Sequence, residues 1–270
     1  MKHKDYKNLC ELTIPIVRST GQFIRQEALN FDRSTVIIKE RNSLVSYVDK
    51  TAEEMLVSAL QVLIPDAGFI TEEATVHQDT KEYTWIIDPL DGTNNFIHGV
   101  PHYAVSVGLM YQDEIVMGIV LNAASDACYY AWKAGGAYLD GNPIQVSPTG
   151  SLSDAMVATG FPYRKDDVQP LIDTLIDIMK NARGLRRLGA AALDLVYVAA
   201  GHFESYYEAS INAWDVAGGI IIVKEAGGQI TDYSGGDDII FGGRILATNG
   251  VLHQEFLDLI SGHFSRTKQA

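Results

Sequence analysis

The hydrophobic period of this chain changes twice, near Tyr83 and near Ser147, and those two changes confine it to a layered mixture of helices and strands. Before the first change the period is helical. Leu9, Leu12, Ile16 and Phe23 predict a long opening helix between Asp5 and Asn30, with one apolar face and a kink at Pro15. A second helix is expected over Thr51–Leu63, stopped by Pro65, with a polar exposed turn at Lys39–Ser43 between the two. From Tyr83 the runs are short and β-like, at Thr84–Ile87, Ala104–Tyr111, Glu114–Asn122 and Ala127–Trp132, which predicts an antiparallel sheet. After Ser147 strands are expected at Ala155–Thr159, Arg183–Arg187, Glu204–Glu208, Gln229–Thr231 and Ile245–Ala247. They alternate with helices at Asp167–Asn181, Ala190–Ala200, Ala213–Glu225 and Leu252–Ser261, an α/β pattern. No repeat or linker separates the halves. The expectation is therefore an N-terminal α+β lobe over 1–146 and a C-terminal α/β lobe over 147–270, with a cleft between them.

Charge narrows the partners. With 34 acidic against 21 basic side chains the formal charge is −13, which repels nucleic acid and anionic lipid at long range. An acidic protein that binds a phosphate ester must neutralise it locally, and a divalent cation does so. Only Cys10 and Cys128 are present, too few for a disulfide framework and without zinc-site spacing. The opening Met1–Glu11 mixes charges where a signal peptide would be apolar. The apolar stretches Ala104–Met110, Ile115–Leu121 and Val216–Val223 are too short to span a bilayer. A cytoplasmic protein without membrane or nucleic-acid partners is expected.

The chemistry concentrates in Trp85-Ile-Ile-Asp88-Pro89-Leu90-Asp91-Gly92-Thr93-Asn94-Asn95-Phe96. Two carboxylates three residues apart at a strand end are placed to hold hard cations through oxygen. Pro89 is expected to stop the strand, Gly92 to allow close approach, and Thr93 to cap a short helix whose N–H groups face an anion. Each acid alone would more readily be read as a turn or capping residue. Likewise Glu72-Glu73 alone reads as a solvated face, and Trp214-Asp215 as a helix start.

The full run resembles the signature of the inositol monophosphatase family. Phe69-Ile-Thr-Glu72-Glu73 and Asn212-Ala-Trp214-Asp215-Val-Ala-Gly218 resemble two further family segments, and the likeness extends from Val36 to Asn249. The resemblance implies a layered α-β-α-β-α sandwich, usually a homodimer, that hydrolyses a small phosphate ester with two or three Mg²⁺ ions. It implies that Glu72, Asp88 and the Leu90 carbonyl bind one ion, and that Asp88, Asp91 and Asp215 bind another. Thr93, held by Asp49, would orient the attacking water, with Glu72 helping to polarise it. The amides of Gly92 and Thr93 would hold phosphate, Gly189 and Ala191 would approach the substrate's ring, and Glu208, Asp91 and Asp215 would accept from its hydroxyls.

One departure stands out. The loop at 39–48 has serine where the family usually has aspartate and is about one residue shorter, which bears on a third metal position and on lithium inhibition. His98 and His102 are expected to pack rather than ligate a hard ion. Of Arg186 and Arg187 at most one should face a phosphate. The expected substrate is myo-inositol monophosphate. Alternatives are fructose 1,6-bisphosphate, histidinol phosphate, NADP(H) or 3′-phosphoadenosine phosphates, or a non-catalytic binding role on the same fold.

Overall fold

A computed structural model describes the backbone of residues 5–31, 37–40, 43–162 and 167–264. Along the chain these form α1 (Tyr6–Ala28), β1 (Ile37–Glu40), β2 (Ser43–Val45), α2 (Tyr47–Leu63), β3 (Gly68–Thr71), β4 (Tyr83–Asp91) and α3 (Thr93–His98). Next come β5 (Ala104–Tyr111), β6 (Glu114–Asn122), β7 (Ala127–Trp132), β8 (Ala137–Leu139) and β9 (Asn142–Ile144). The remainder is β10 (Met156–Thr159), α4 (Val168–Asn181), β11 (Gly184–Arg186), α5 (Ala191–Ala199), β12 (Ser205–Ala209), α6 (Ala213–Glu225), β13 (Gln229–Thr231), β14 (Arg244–Thr248) and α7 (His253–Phe264).

Strands β3 to β9 form one sheet in sequence order, antiparallel throughout except for the parallel β3–β4 pair. The second sheet has the order β11-β10-β12-β14-β13, with β10 parallel to both its neighbours. Helices α1 and α2 cover one face of the first sheet, α5 and α6 lie between the sheets, and α4 and α7 cover the far face of the second. The layering is α-β-α-β-α. Because side chains alternate across a strand, β4 sends Trp85 and Ile87 to the core under α1 and α2, and Ile86 to the core under α5 and α6. A third core joins the second sheet to α4 and α7 through Tyr207, Leu246 and Phe256.

The central helix α6 is buried nearly all round because it has a sheet on each side. It rests on a floor made by Gly108 and Gly118, which are paired across β5 and β6. A Cβ at Gly118 would lie 2.1 Å from the Gly218 carbonyl oxygen, so only glycine admits α6 at this depth.

Helix α1 runs through Pro15 as expected; the proline sits on the exposed face, where water can meet the carbonyl it leaves unbonded. Several other local expectations are corrected. Helix α2 begins at Tyr47, not Thr51, because Ser46 and Asp49 form a capping box. The stretch expected as the turn Lys39–Ser43 belongs to an antiparallel β1–β2 hairpin; residues 41 and 42, in the shortened loop, lie outside the described residues. Strands β3, β8 and β9 are too short to have carried a period. Both cysteines are buried, and burial pushes the Cys128 thiol up to about 12, the behaviour of core residues. Among the described residues, no helix is long and apolar enough to cross a membrane.

Candidate metal and phosphate-ester site

Strand β4 does not stop at Pro89. It continues to Asp91 through an irregularity in which Asp88 pairs with Ser106 and Asp91 with Ala104, leaving one extra residue on β4. A bulge is where proline can sit inside a sheet, since no ladder N–H is needed there. The bulge also brings both acids to the same end of the strand. Asp88 Oδ1 accepts from the Leu90 N–H at 2.9 Å. Asp91 turns to the start of α5 and accepts from Ala191 N–H at 3.2 Å and Ala192 N–H at 2.7 Å, a favourable place for an anion. Asp215 lies in the first turn of α6 and accepts from the Asn212 N–H at 2.7 Å.

Carboxylate oxygens of Asp88, Asp91 and Asp215 all lie within 4.8 Å of one another. Glu72, just past β3, lines the same cleft and raises the Asp88 carboxyl by like-charge repulsion. Burial is the larger cause of that rise, with Glu72, Asp91 and Asp215 adding to it. Burial together with Asp215 pushes Asp91 up to about 8, against the pull of the Ala192 amide. Burial likewise raises Asp215 to about 6, opposed by its bonds to Asn212. Acids held this way demand protons or a cation, and an all-oxygen donor set suits a hard divalent ion such as Mg²⁺.

Thr93 is the first residue of α3, not its cap. The N-cap is Gly92, at φ 88°, a left-handed conformation that suits glycine. The freed Thr93 hydroxyl lies 3.0 Å from Asp49 Oδ1 and 3.0 Å from the Leu90 carbonyl oxygen, the atom expected to serve an ion. Asp49 is fully buried, and Ser46 donates both its N–H and its hydroxyl to Oδ2. Burial raises the Asp49 carboxyl, while the Ser46 and Thr93 bonds oppose the rise.

The cleft continues past Gly189, Ala190 and Ala191 to Glu208, Ser210 and Ile211. Glu208 Oε2 accepts the Tyr206 hydroxyl at 2.6 Å, and burial pushes its carboxyl up to about 7 against that bond. Of the two arginines, Arg187 lines the cleft with its guanidinium 5.0 Å from the Phe161 ring centre. Arg186 is exposed and donates to the Leu185 carbonyl. His98 and His102 do not line the cleft; the His102 ring packs against Tyr197 with centres 5.9 Å apart. Asp194 was not anticipated. It is buried, it lines the cleft, and its Oδ1 has no hydrogen-bond partner among the described residues. Its spacing from Ala191 on α5 is the signal that could have found it, because residues at i and i+3 share a helix face.

The chain is 38% identical over 244 residues to an inositol-1-monophosphatase of Rhizobium meliloti, covering 89% of this chain and 91% of that one. It is 35% identical over 261 residues to Nus factor SuhB of Pseudomonas aeruginosa, covering 94% and 96%. Among solved structures, a Thermotoga maritima IMPase superposes with a TM-score of 0.88 at 30% identity, over 96% of this chain and 99% of that one. The model of the inositol monophosphatase family matches residues 5–265, a span that holds every acid of the cleft, and the chain belongs to that family.

Proposed function

We propose that the protein is a Mg²⁺-dependent phosphomonoesterase that releases phosphate from myo-inositol monophosphate. The observation that carries this reading is one cleft lined both by three clustered acids, Asp88, Asp91 and Asp215, and by Glu208. Glu72, Asp88 and the Leu90 carbonyl would hold one ion, and Asp88, Asp91 and Asp215 a second. When bound, Mg²⁺ supplies Lewis-acid stabilisation of the phosphoryl charge and makes water a better nucleophile. Thr93 donates its hydroxyl to Asp49 and would orient the attacking water, whose proton would pass by way of the Thr93 hydroxyl to Asp49, while Glu72 would help to polarise that water. The amides of Gly92 and Thr93, at the start of α3, hold the phosphate. Glu208 accepts from hydroxyl groups of the polyol, with Gly189 and Ala191 leaving room for the ring. Family membership and the relatives named as inositol monophosphatases support the reaction class.

The test is phosphate release from inositol 1-phosphate, fructose 1,6-bisphosphate, histidinol phosphate, NADP⁺ and 3′-phosphoadenosine 5′-phosphate, each with Mg²⁺ and with a chelator. A Mg²⁺-dependent preference for the inositol ester is expected. Preference for another ester would keep the chemistry and move the substrate. Turnover that survives the chelator would sink the metal assignment.

A second role, of the kind carried by the name Nus factor SuhB, is favoured by the 35% identity to the Pseudomonas aeruginosa protein. An Asp88 variant that loses phosphate release but keeps such a role would separate the two readings.

A further inference from the structure

Asp49 and Glu53 stand one turn apart on α2, and both are fully buried. Residues at i and i+4 share a helix face, so the two carboxylates reach out on the same side. Asp49 takes Thr93. Glu53 takes the segment that carries Glu72: its Oε1 accepts from the Thr71 hydroxyl at 2.8 Å, the Thr75 N–H at 2.7 Å and the Thr75 hydroxyl at 2.7 Å. Its Oε2 accepts from the Glu73 N–H at 2.8 Å. Every donor comes from within three residues of Glu72.

Burying a carboxylate is costly unless its lone pairs are filled, and these bonds fill them. They also do what the sheet does not. β3 ends at Thr71, and the Glu72 N–H reaches the Ile87 carbonyl only at 3.3 Å, so the ladder is running out where Glu72 begins. Two residues on, Ala74 has φ 51°, a left-handed conformation that a non-glycine residue keeps only when its surroundings enforce it. Glu53 grips both sides of that residue, at Glu73 and Thr75.

We infer that Glu53 is a positioning residue that sets where the Glu72 carboxylate stands relative to Thr93, with one turn of α2 as the ruler between them. This rests on the proposed role of Glu72 in the metal and water site. Glu53 itself touches neither substrate nor ion; it acts through the backbone around Glu72.

The experiment compares wild type, Glu53→Gln, Thr75→Val and Glu72→Gln on inositol 1-phosphate across a Mg²⁺ titration. It also follows amide hydrogen exchange of the metal-free proteins. Glu53→Gln turns an amide NH₂ toward donors and loses at least one bond. It is expected to lower kcat by about 10-fold or more and to raise the Mg²⁺ needed for half-maximal rate several-fold, with KM within about threefold. The Glu73 and Thr75 amides should exchange about 10-fold faster while those of β5 keep their protection. Thr75→Val removes one hydroxyl bond at an exposed residue. It should show the same changes at smaller size, and it carries the test if Glu53→Gln does not fold. Wild-type kcat and Mg²⁺ requirement in the folded variants, alongside an inactive Glu72→Gln, overturn the inference and leave the role of Glu72 standing. A fully active Glu72→Gln overturns that role, and the inference with it.

Discussion

Asp91 accepts the amide of Ala192 at 2.7 Å, across 101 residues of sequence. The bond ties the bulged end of β4 in the first sheet to the first turn of α5, the helix between the sheets. An acid proposed to hold cations thus also fastens the helix that forms the next wall of the cleft.

The hydrogen bonds of Asp88 run within its own turn, to Leu90, and to Glu72 beside it, just past β3 of the same sheet, not to another layer. Asp88→Asn should therefore leave the fold intact while lowering kcat/KM on the inositol ester by about 1,000-fold or more, because it removes the charge shared by both proposed ions. Steady-state kinetics and a circular-dichroism melt in chelator check this together. Near-normal turnover in the variant would refute the shared-ligand role.

The acids also set how stability depends on pH without metal. Asp91 is raised to about 8, Asp215 to about 6, and Asp88 well above its usual range, each above the value of about 4 expected in the unfolded chain. The folded state then binds more protons than the unfolded one. Its stability from these groups is complete below about pH 4 and is lost as pH rises through 6 and then 8. In chelator, Tm should fall between about pH 5 and pH 9, and added Mg²⁺ should raise Tm more at the upper end of that range. Differential scanning calorimetry at several pH values makes the measurement. A chelated protein that gains stability over this range would contradict the repulsive cluster.

Glu208 bonds Tyr206 and otherwise faces the cleft. Glu208→Ala should lower kcat/KM for inositol 1-phosphate by about 10-fold or more and that for an aryl phosphate without hydroxyls by less than about threefold. Equal losses on the two esters would mean that Glu208 does not read hydroxyl groups.

Gly118→Ala tests the packing that sets Asp215. A methyl group there would overlap the Gly218 carbonyl, so α6 must lift from the sheet, at a cost of about 1–3 kcal/mol by urea denaturation. Because α6 carries Asp215, the Mg²⁺ needed for half-maximal activity should rise as well. An unchanged urea midpoint would show that the sheet floor can give.

The elements read most directly from sequence were those whose burial is regular. β4 to β7 alternate between two cores, α1 and α4 carry one apolar stripe each, and their periods marked them to within a few residues. Glu72, Asp88, Asp91 and Asp215 stand out for a different reason, the resemblance of three short segments to one family; the fold gathers Asp88, Asp91 and Asp215 and puts Glu72 in the same cleft.

What sequence left open was decided by contacts between distant segments. Pro89 reads as a strand terminator because proline lacks an N–H, yet the register of β4 against β5 supplies a bulge in which that N–H is not required. Glu53 reads as one more polar helix residue, and only the approach of the segment after β3 turns it into a fully satisfied buried carboxylate. Asp194 reads as an acid in a first turn until α5 is stacked between two sheets, which buries it at the cleft wall. The sequence by itself determined which residue types stand at the ends of which elements, because propensity and period act over a few residues. The tertiary structure alone decided which of those ends meet, because register and layer packing bring together groups that no local spacing relates.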